Sequence, residues 1–143
     1  MLAITKGTTS YRAVASKDDL TAAEVLFTGD FGPSMVWDDE LQNVRGRTAE
    51  ELLADAKAKV TDLIRSEARR RILARIPDWM QANMTARAVQ LVQLGQTDGA
   101  EWAAMQAAWG WVQATRQHSN DLTVKAVASD DPLAFDFSGG WPA

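Results

Sequence analysis

The pattern of hydrophobic and polar positions changes its period near residue 47. Before that point, short β-favouring segments at 2–4, 11–14, 25–27 and 35–37 alternate with turn residues such as Gly7, Gly29 and Pro33. Segments of this composition between Gly, Pro and Asp residues are typical of strands. We predict a small β-rich N-terminal region over residues 1–47 with two to four strands. The Asp18-Asp19 step before Thr21 is also compatible with one capped helical turn.

From Thr48 onward the apolar residues recur at intervals of three and four. Thr48 and Glu51 have the spacing of a capping box, in which each side chain bonds the backbone amide of the other residue. Apolar residues then continue at helical spacing to Ile76, and Pro77 ends or kinks the helix because it has no amide hydrogen. We therefore predict one long amphipathic helix from residue 48 to Pro77.

Two further helices are predicted, one from about Asp78, a plausible cap, to Gly95 and one over residues 100–128. The third helix carries a stripe of Trp and Met that should be core. We expect it to pack on the first helix, with Trp102, Met105 and Trp109 meeting Leu63, Ile64 or Ile72. The predicted class is α+β, in which the long helices of residues 48–128 form an elongated helical hairpin or arm.

Residues 129–143 form an aromatic C-terminal tail. Pro132 and the Gly139-Gly140 pair break the helix, while Phe135, Phe137 and Trp141 are large rings in a short segment. A ring left in water forgoes about 1.5–3 kcal/mol of burial, so the tail should pack on something. We favour a partner protein as that surface. The alternative is docking on the chain's own helices.

The composition argues against nucleic-acid binding, a zinc site and catalysis. The chain has 143 residues, a net charge of -4, no cysteine and a single histidine. Acidic chains are poor general nucleic-acid binders, and one imidazole without cysteine cannot build a common zinc site. His118 and Ser119 are sequence neighbours, which lie about 100° apart on a helix and cannot act as a base and nucleophile pair. We expect no catalytic residue, no metal and no cofactor, and hence no enzyme.

The arginine-rich stretch and the lack of long apolar segments also indicate the partners and the location of the protein. The arginines at 65, 69, 70, 71 and 75 favour a solvated helix face, with pairs such as Glu67–Arg71, over a nucleic-acid surface. No segment has the ~18 apolar residues that a membrane span needs, and the N-terminus lacks the apolar region of a signal peptide. The expected location is a cytoplasm, with no membrane and no nucleic acid as partner.

The order of several short motifs resembles a known protein family. The motifs of the last helix and tail are Trp109 or Trp111, Val112, Arg116, Ser119-Asn120, Leu122, Asp131-Pro132 and Trp141-Pro142. Further motifs of the chain, at 67–72, 76–86, 11–14, 18–20 and 24–25, are each similar to a motif of the same family. This order resembles the small tail-fibre assembly proteins of tailed bacteriophages. This chain departs from them at Ala22-Ala23, where the family often has Pro-Gly.

The resemblance implies a non-enzymatic protein that binds a trimeric phage tail-fibre protein and aids its folding and trimerisation. Such a protein works in the host cytoplasm during phage assembly, and in some members it stays attached in the virion tail. Two alternatives are a permanent subunit of the tail or baseplate and a host-directed phage inhibitor. A homodimer or higher oligomer is left open. The residues expected to contact the partner are Trp111, Arg116, Asn120, Phe135, Phe137 and Trp141.

Overall fold

The computed structural model describes residues 1–143 and shows an α+β fold, with five short strands followed by three long helices. The chain divides into two compact units, the N-terminal unit of residues 1–54 and the helical unit of residues 55–143. The division lies inside the first helix, a few residues beyond the change of period at residue 47. The first turn of that helix therefore belongs with the strands.

The N-terminal unit holds two antiparallel sheets. Three strands pair in the order β2-β1-β3, where β1 is Leu2–Thr5, β2 is Tyr11–Ala13 and β3 is Glu24–Phe27. The other two form a hairpin of β4, Met35–Asp38, and β5, Asn43–Gly46. The sequence predicted at most four strands, and this number is wrong because β5 was missed. Its residues Asn-Val-Arg-Gly have little strand propensity, and pairing with β4 holds them extended.

Burial in this unit centres on β1. Ala3 and Ile4 are fully buried, and the ring of Phe31 meets the rings of Tyr11 and Phe27 edge to face. The predicted alternative, a helical turn capped by the Asp18-Asp19 step, is wrong, because these two residues lie inside an earlier 3-10 turn over Lys17–Asp19. Ser16 caps this turn, and its hydroxyl accepts from the amide of Asp18 at 3.1 Å.

The three helices are α1, Ala49–Arg75, α2, Asp78–Gln93, and α3, Ala100–Val127. The capping box is confirmed, because the Thr48 amide donates to Glu51 Oε2 at 2.8 Å and the Glu51 amide donates to Thr48 Oγ1 at 3.2 Å. The prediction that Asp78 caps α2 is wrong. Pro77 occupies the cap position, and no side chain bonds the free amides. Gly95, at φ 67°, ends this helix in a left-handed turn.

Two hydrophobic clusters join α1 to α3 in the helical unit. We call Val60, Ile64, Leu122 and Ala126 the tail cluster, and Ile72, Ile76 and Val112 the elbow cluster. The middle of α1 meets the end of α3 in the tail cluster, and the end of α1 meets the earlier part of α3 in the elbow cluster. The two helices are therefore antiparallel.

The predicted core of α3 is confirmed in part. Met105 is buried, and Trp109 is half-buried and packs on the elbow cluster, which includes Ile72. Trp102 is half-buried. Leu63 was one of the three alternative contacts on α1, and it is 47% exposed and outside this core. It lies one helix position, about 100°, from Ile64, which is the residue that faces α3.

Candidate protein-binding site

A groove of about 400 Å³ lies among α1, α3 and the first turn of α2. Ala68, Ile72 and Leu73 of α1 form an aliphatic part of its lining. The remaining lining residues are polar or charged: Arg65, Arg69, Asp78, Gln81, Arg116, Ser119 and Asn120. We call this feature the arginine groove.

Its three arginines differ from the other seven in the chain. Each of those seven donates to a carboxylate or a backbone carbonyl: Arg12, Arg45, Arg47, Arg70, Arg71, Arg75 and Arg87. Arg65, Arg69 and Arg116 are exposed and make no hydrogen bond or ion pair. All the partnerless guanidinium groups of the protein thus line one groove.

The nearby acid on α1 is already occupied by other arginines. Glu67 accepts from Arg70 Nε at 2.7 Å and from Arg71 Nε at 2.6 Å. These two hydrogen bonds lower the pKa of Glu67 to about 2. The predicted Glu67–Arg71 pair is confirmed. It lies away from the groove, so it does nothing to neutralise Arg65 and Arg69.

Ser119 is a second unpartnered group in the groove. The residue is 4% exposed, and its hydroxyl has no hydrogen bond. The hydroxyls of Thr115 and Thr123, on the same helix, each donate to the carbonyl four residues earlier, both at 2.9 Å. The Ser119 hydroxyl is therefore free to bond a ligand in the groove.

The groove's only carboxylate is Asp78, so three guanidinium groups face one negative charge. The Gln81 amide nitrogen donates to the carbonyl of Ile76 at 2.8 Å, which fixes the orientation of that side chain. The groove can therefore attract an anion, cover an aliphatic group and exchange hydrogen bonds, which are the features of a surface that recognises protein.

The aromatic tail packs on the chain's own helices. Phe135, Phe137 and Trp141 all lie against the tail cluster. The Trp141 indole nitrogen donates to the Phe137 carbonyl at 2.9 Å, and the Trp141 ring meets the ring of His118 edge to face at 4.9 Å. The guanidinium carbon of Arg71 lies 5.0 Å from the centre of the Trp141 ring. Of the two surfaces considered for the tail, the structure shows the intramolecular one.

A second groove, of about 500 Å³, lies between the tail, the end of α1 and α3. Trp111 and Trp141 line it. The Arg75 guanidinium lies 4.5 Å from the centre of the Trp111 ring and donates to the Ala143 carbonyl oxygen at 2.8 Å. The indole N–H of Trp111 is buried without a hydrogen-bond partner.

The residues predicted to contact a partner thus lie in different places. Arg116 and Asn120 come together in the arginine groove, while Trp111 and Trp141 line the second groove. Phe135 and Phe137 are half-buried against the tail cluster. Partner binding by the tail rings stays a prediction, and it would require the tail to leave the helices.

Sequence reasoning missed Arg65 and Arg69 as members of this site. One signal was available, because arginines at i and i+4 on a helix repel each other and weaken it by a few tenths of a kcal/mol. Arg65 and Arg69 form such a like-charged pair, which is unfavourable for the isolated helix. Both guanidinium groups are unpaired within the chain and are therefore available to an external anion.

No group of three or more His, Asp or Glu side chains is placed to hold a metal ion. None of the helices combines the length and the apolar character that crossing a membrane requires. His118 hydrogen-bonds through Nε2 to the Gly139 carbonyl at 3.1 Å, and its ring contacts Trp141.

No protein-family model matches the chain, and comparisons with curated proteins and with solved structures find no match.

Proposed function

We propose that this protein is an assembly chaperone for a phage tail fibre, which it binds in the host cytoplasm and helps to fold and trimerise. The motif order that resembles tail-fibre assembly proteins suggests this context. The observation that carries the proposal is the arginine groove, where every partnerless guanidinium of the chain lies beside aliphatic side chains. Arginine is enriched among the residues that dominate protein–protein binding.

The physical need for such a protein follows from how fibres assemble. A trimer forms slowly when its contacts are far apart in sequence and lie between chains, and strand edges and apolar patches stay exposed meanwhile. A groove that is both charged and aliphatic can cover such a segment. Exposed charges also speed association and contribute more to specificity than to affinity, which suits a transient partner.

The second candidate is a permanent subunit of the tail or baseplate. Exposed apolar side chains on α2 favour it, since Trp79, Val89 and Val92 are 63%, 53% and 58% exposed. Permanent interfaces bury more apolar surface than transient ones. These side chains would give a stable attachment after assembly.

Co-expression with the tail-fibre protein of the same phage tests the proposal. We expect the wild-type chain to raise the yield of soluble trimeric fibre protein, and Arg116→Gln to lose most of that gain. Arg70→Gln is the matched control, because Arg70 is equally charged and lies outside the arginine groove. An unchanged yield with the wild-type chain would refute the chaperone role.

Quantitative mass spectrometry of purified virions separates the two candidates. A transient chaperone should be absent from virions or present far below the copy number of the fibre. A fixed stoichiometric ratio to a tail protein would support the permanent subunit instead.

A further inference from the structure

We propose that the arginine groove binds an acidic peptide segment, in which Asp or Glu side chains lie next to aliphatic ones. This inference deepens the proposed function and rests on it for the identity of the protein that carries the segment. The chemistry of the segment follows from the groove itself.

The charge of the groove selects a carboxylate-bearing ligand. Arg65, Arg69 and Arg116 have no acid of their own to pair with, and Asp78 is the single opposing charge. A guanidinium group presents a planar fork of N–H donors that matches a carboxylate in a bidentate geometry. Two acidic side chains on one segment would leave the groove close to neutral.

The aliphatic lining selects an apolar neighbour for those carboxylates. Ala68 and Ile72 are 6% and 7% exposed, and Leu73 beside them is half-buried. A leucine or valine of the segment would extend this surface and lose its contact with water. A small, purely polar anion would leave it uncovered.

The groove fits a peptide better than a nucleic acid. Single-stranded nucleic acids bind on aromatic side chains that stack with the bases, and no aromatic residue lines this groove. Asp78 can accept hydrogen bonds from peptide N–H groups, and a phosphate backbone has no such donors. The Ser119 hydroxyl and the Asn120 amide can pair with the N–H and C=O groups of a peptide in the same way.

The test uses the full chain and a short fluorescent peptide of alternating Asp and Leu residues. Fluorescence anisotropy measures its affinity beside that of a peptide with Asn in place of Asp. We expect the Asp peptide to bind more tightly, and Arg69→Gln to weaken it about fivefold. Arg70→Gln is the control, because it removes the same charge from the adjacent position outside the groove. Added salt should weaken the binding further.

Several results would overturn the inference. They are equal affinity for the Asp and Asn peptides, equal affinity of Arg69→Gln and the wild-type chain, or tighter binding of a single-stranded oligonucleotide than of the Asp peptide. Self-association of the chain that Arg69→Gln abolishes would assign the groove to a second copy, and it also overturns the proposal. Circular dichroism of each variant checks that the helices remain folded.

The two proposals can fail separately. A fibre protein that is chaperoned by a chain with no preference for the Asp peptide would refute only the acidic ligand. Tight, Arg69-dependent binding of the Asp peptide by a chain that leaves the fibre yield unchanged would refute only the fibre partner.

Discussion

Truncation of Trp141 tests whether the tail stabilises the helical unit. The half-buried ring packs on the tail cluster, donates a hydrogen bond to Phe137 and lies against Arg71. Replacing a fully buried Trp with Ala costs about 3–5 kcal/mol, and a cation–π contact contributes about 0.5–1 kcal/mol. Because part of the ring stays in water, we expect Trp141→Ala to cost about 2 kcal/mol.

That loss should be visible in thermal melting. For a unit as small as the helical unit of residues 55–143, 1 kcal/mol shifts Tm by about 4–8 °C, so Trp141→Ala should lower the Tm of this unit by roughly 10 °C. Circular dichroism at the helix band is the suitable assay, because all three helices contribute to it and the signal does not depend on tryptophan fluorescence.

Trp79→Ala is the matched control. Trp79 is 63% exposed and makes no hydrogen bond or ring contact, so its loss should leave Tm nearly unchanged. If Trp141→Ala melts at the same temperature as Trp79→Ala, the tail is not part of the folded unit. Partner binding by the tail rings would then be favoured over docking on the chain's own helices.

Two further predictions concern backbone strain and pH. Gly140→Ala should destabilise the protein by about 1–3 kcal/mol in urea unfolding, because Gly140 has φ 78° and an added Cβ would lie 2.9 Å from His118. Gly139→Ala should change the stability little, because a Cβ at Gly139 meets nothing within 4 Å. Stability should also fall as the pH drops from about 4.5 towards 2. The pKa of Glu67 is about 4.5 in the unfolded chain and about 2 in the folded protein, so the stabilisation by its carboxylate is lost as Glu67 becomes protonated in this range. Acid titration of Glu67→Gln should show a shallower loss, and an equally steep curve would contradict the assignment.

The helices were largely predictable because their signals are local. The period of apolar residues, the Thr48–Glu51 box and Pro77 fix α1 without reference to the rest of the chain. The strand β5 was not predictable from its own residues, since its extended form depends on pairing with β4. Local patterns also left Leu63 and Ile64 equivalent, and only packing against α3 distinguishes them.

The candidate site was predictable only in part for the same reason. Arg116 and Asn120 share one face of α3 and were identified together. Their meeting with Arg65 and Arg69 depends on the antiparallel packing of α1 and α3, which no local motif encodes. The destination of the tail was likewise open, because burial of its rings is equally favourable on a partner or on the chain's own helices.

Binding of the purified tail-fibre protein to this chain tests the central claim most directly. Equilibrium titration should show saturable binding to the wild-type chain, and Arg116→Gln should weaken it at least about fivefold. Arg70→Gln should bind as tightly as the wild-type chain. No binding to the wild-type chain, or equal loss in the two variants, would contradict the claim that the arginine groove holds the fibre protein.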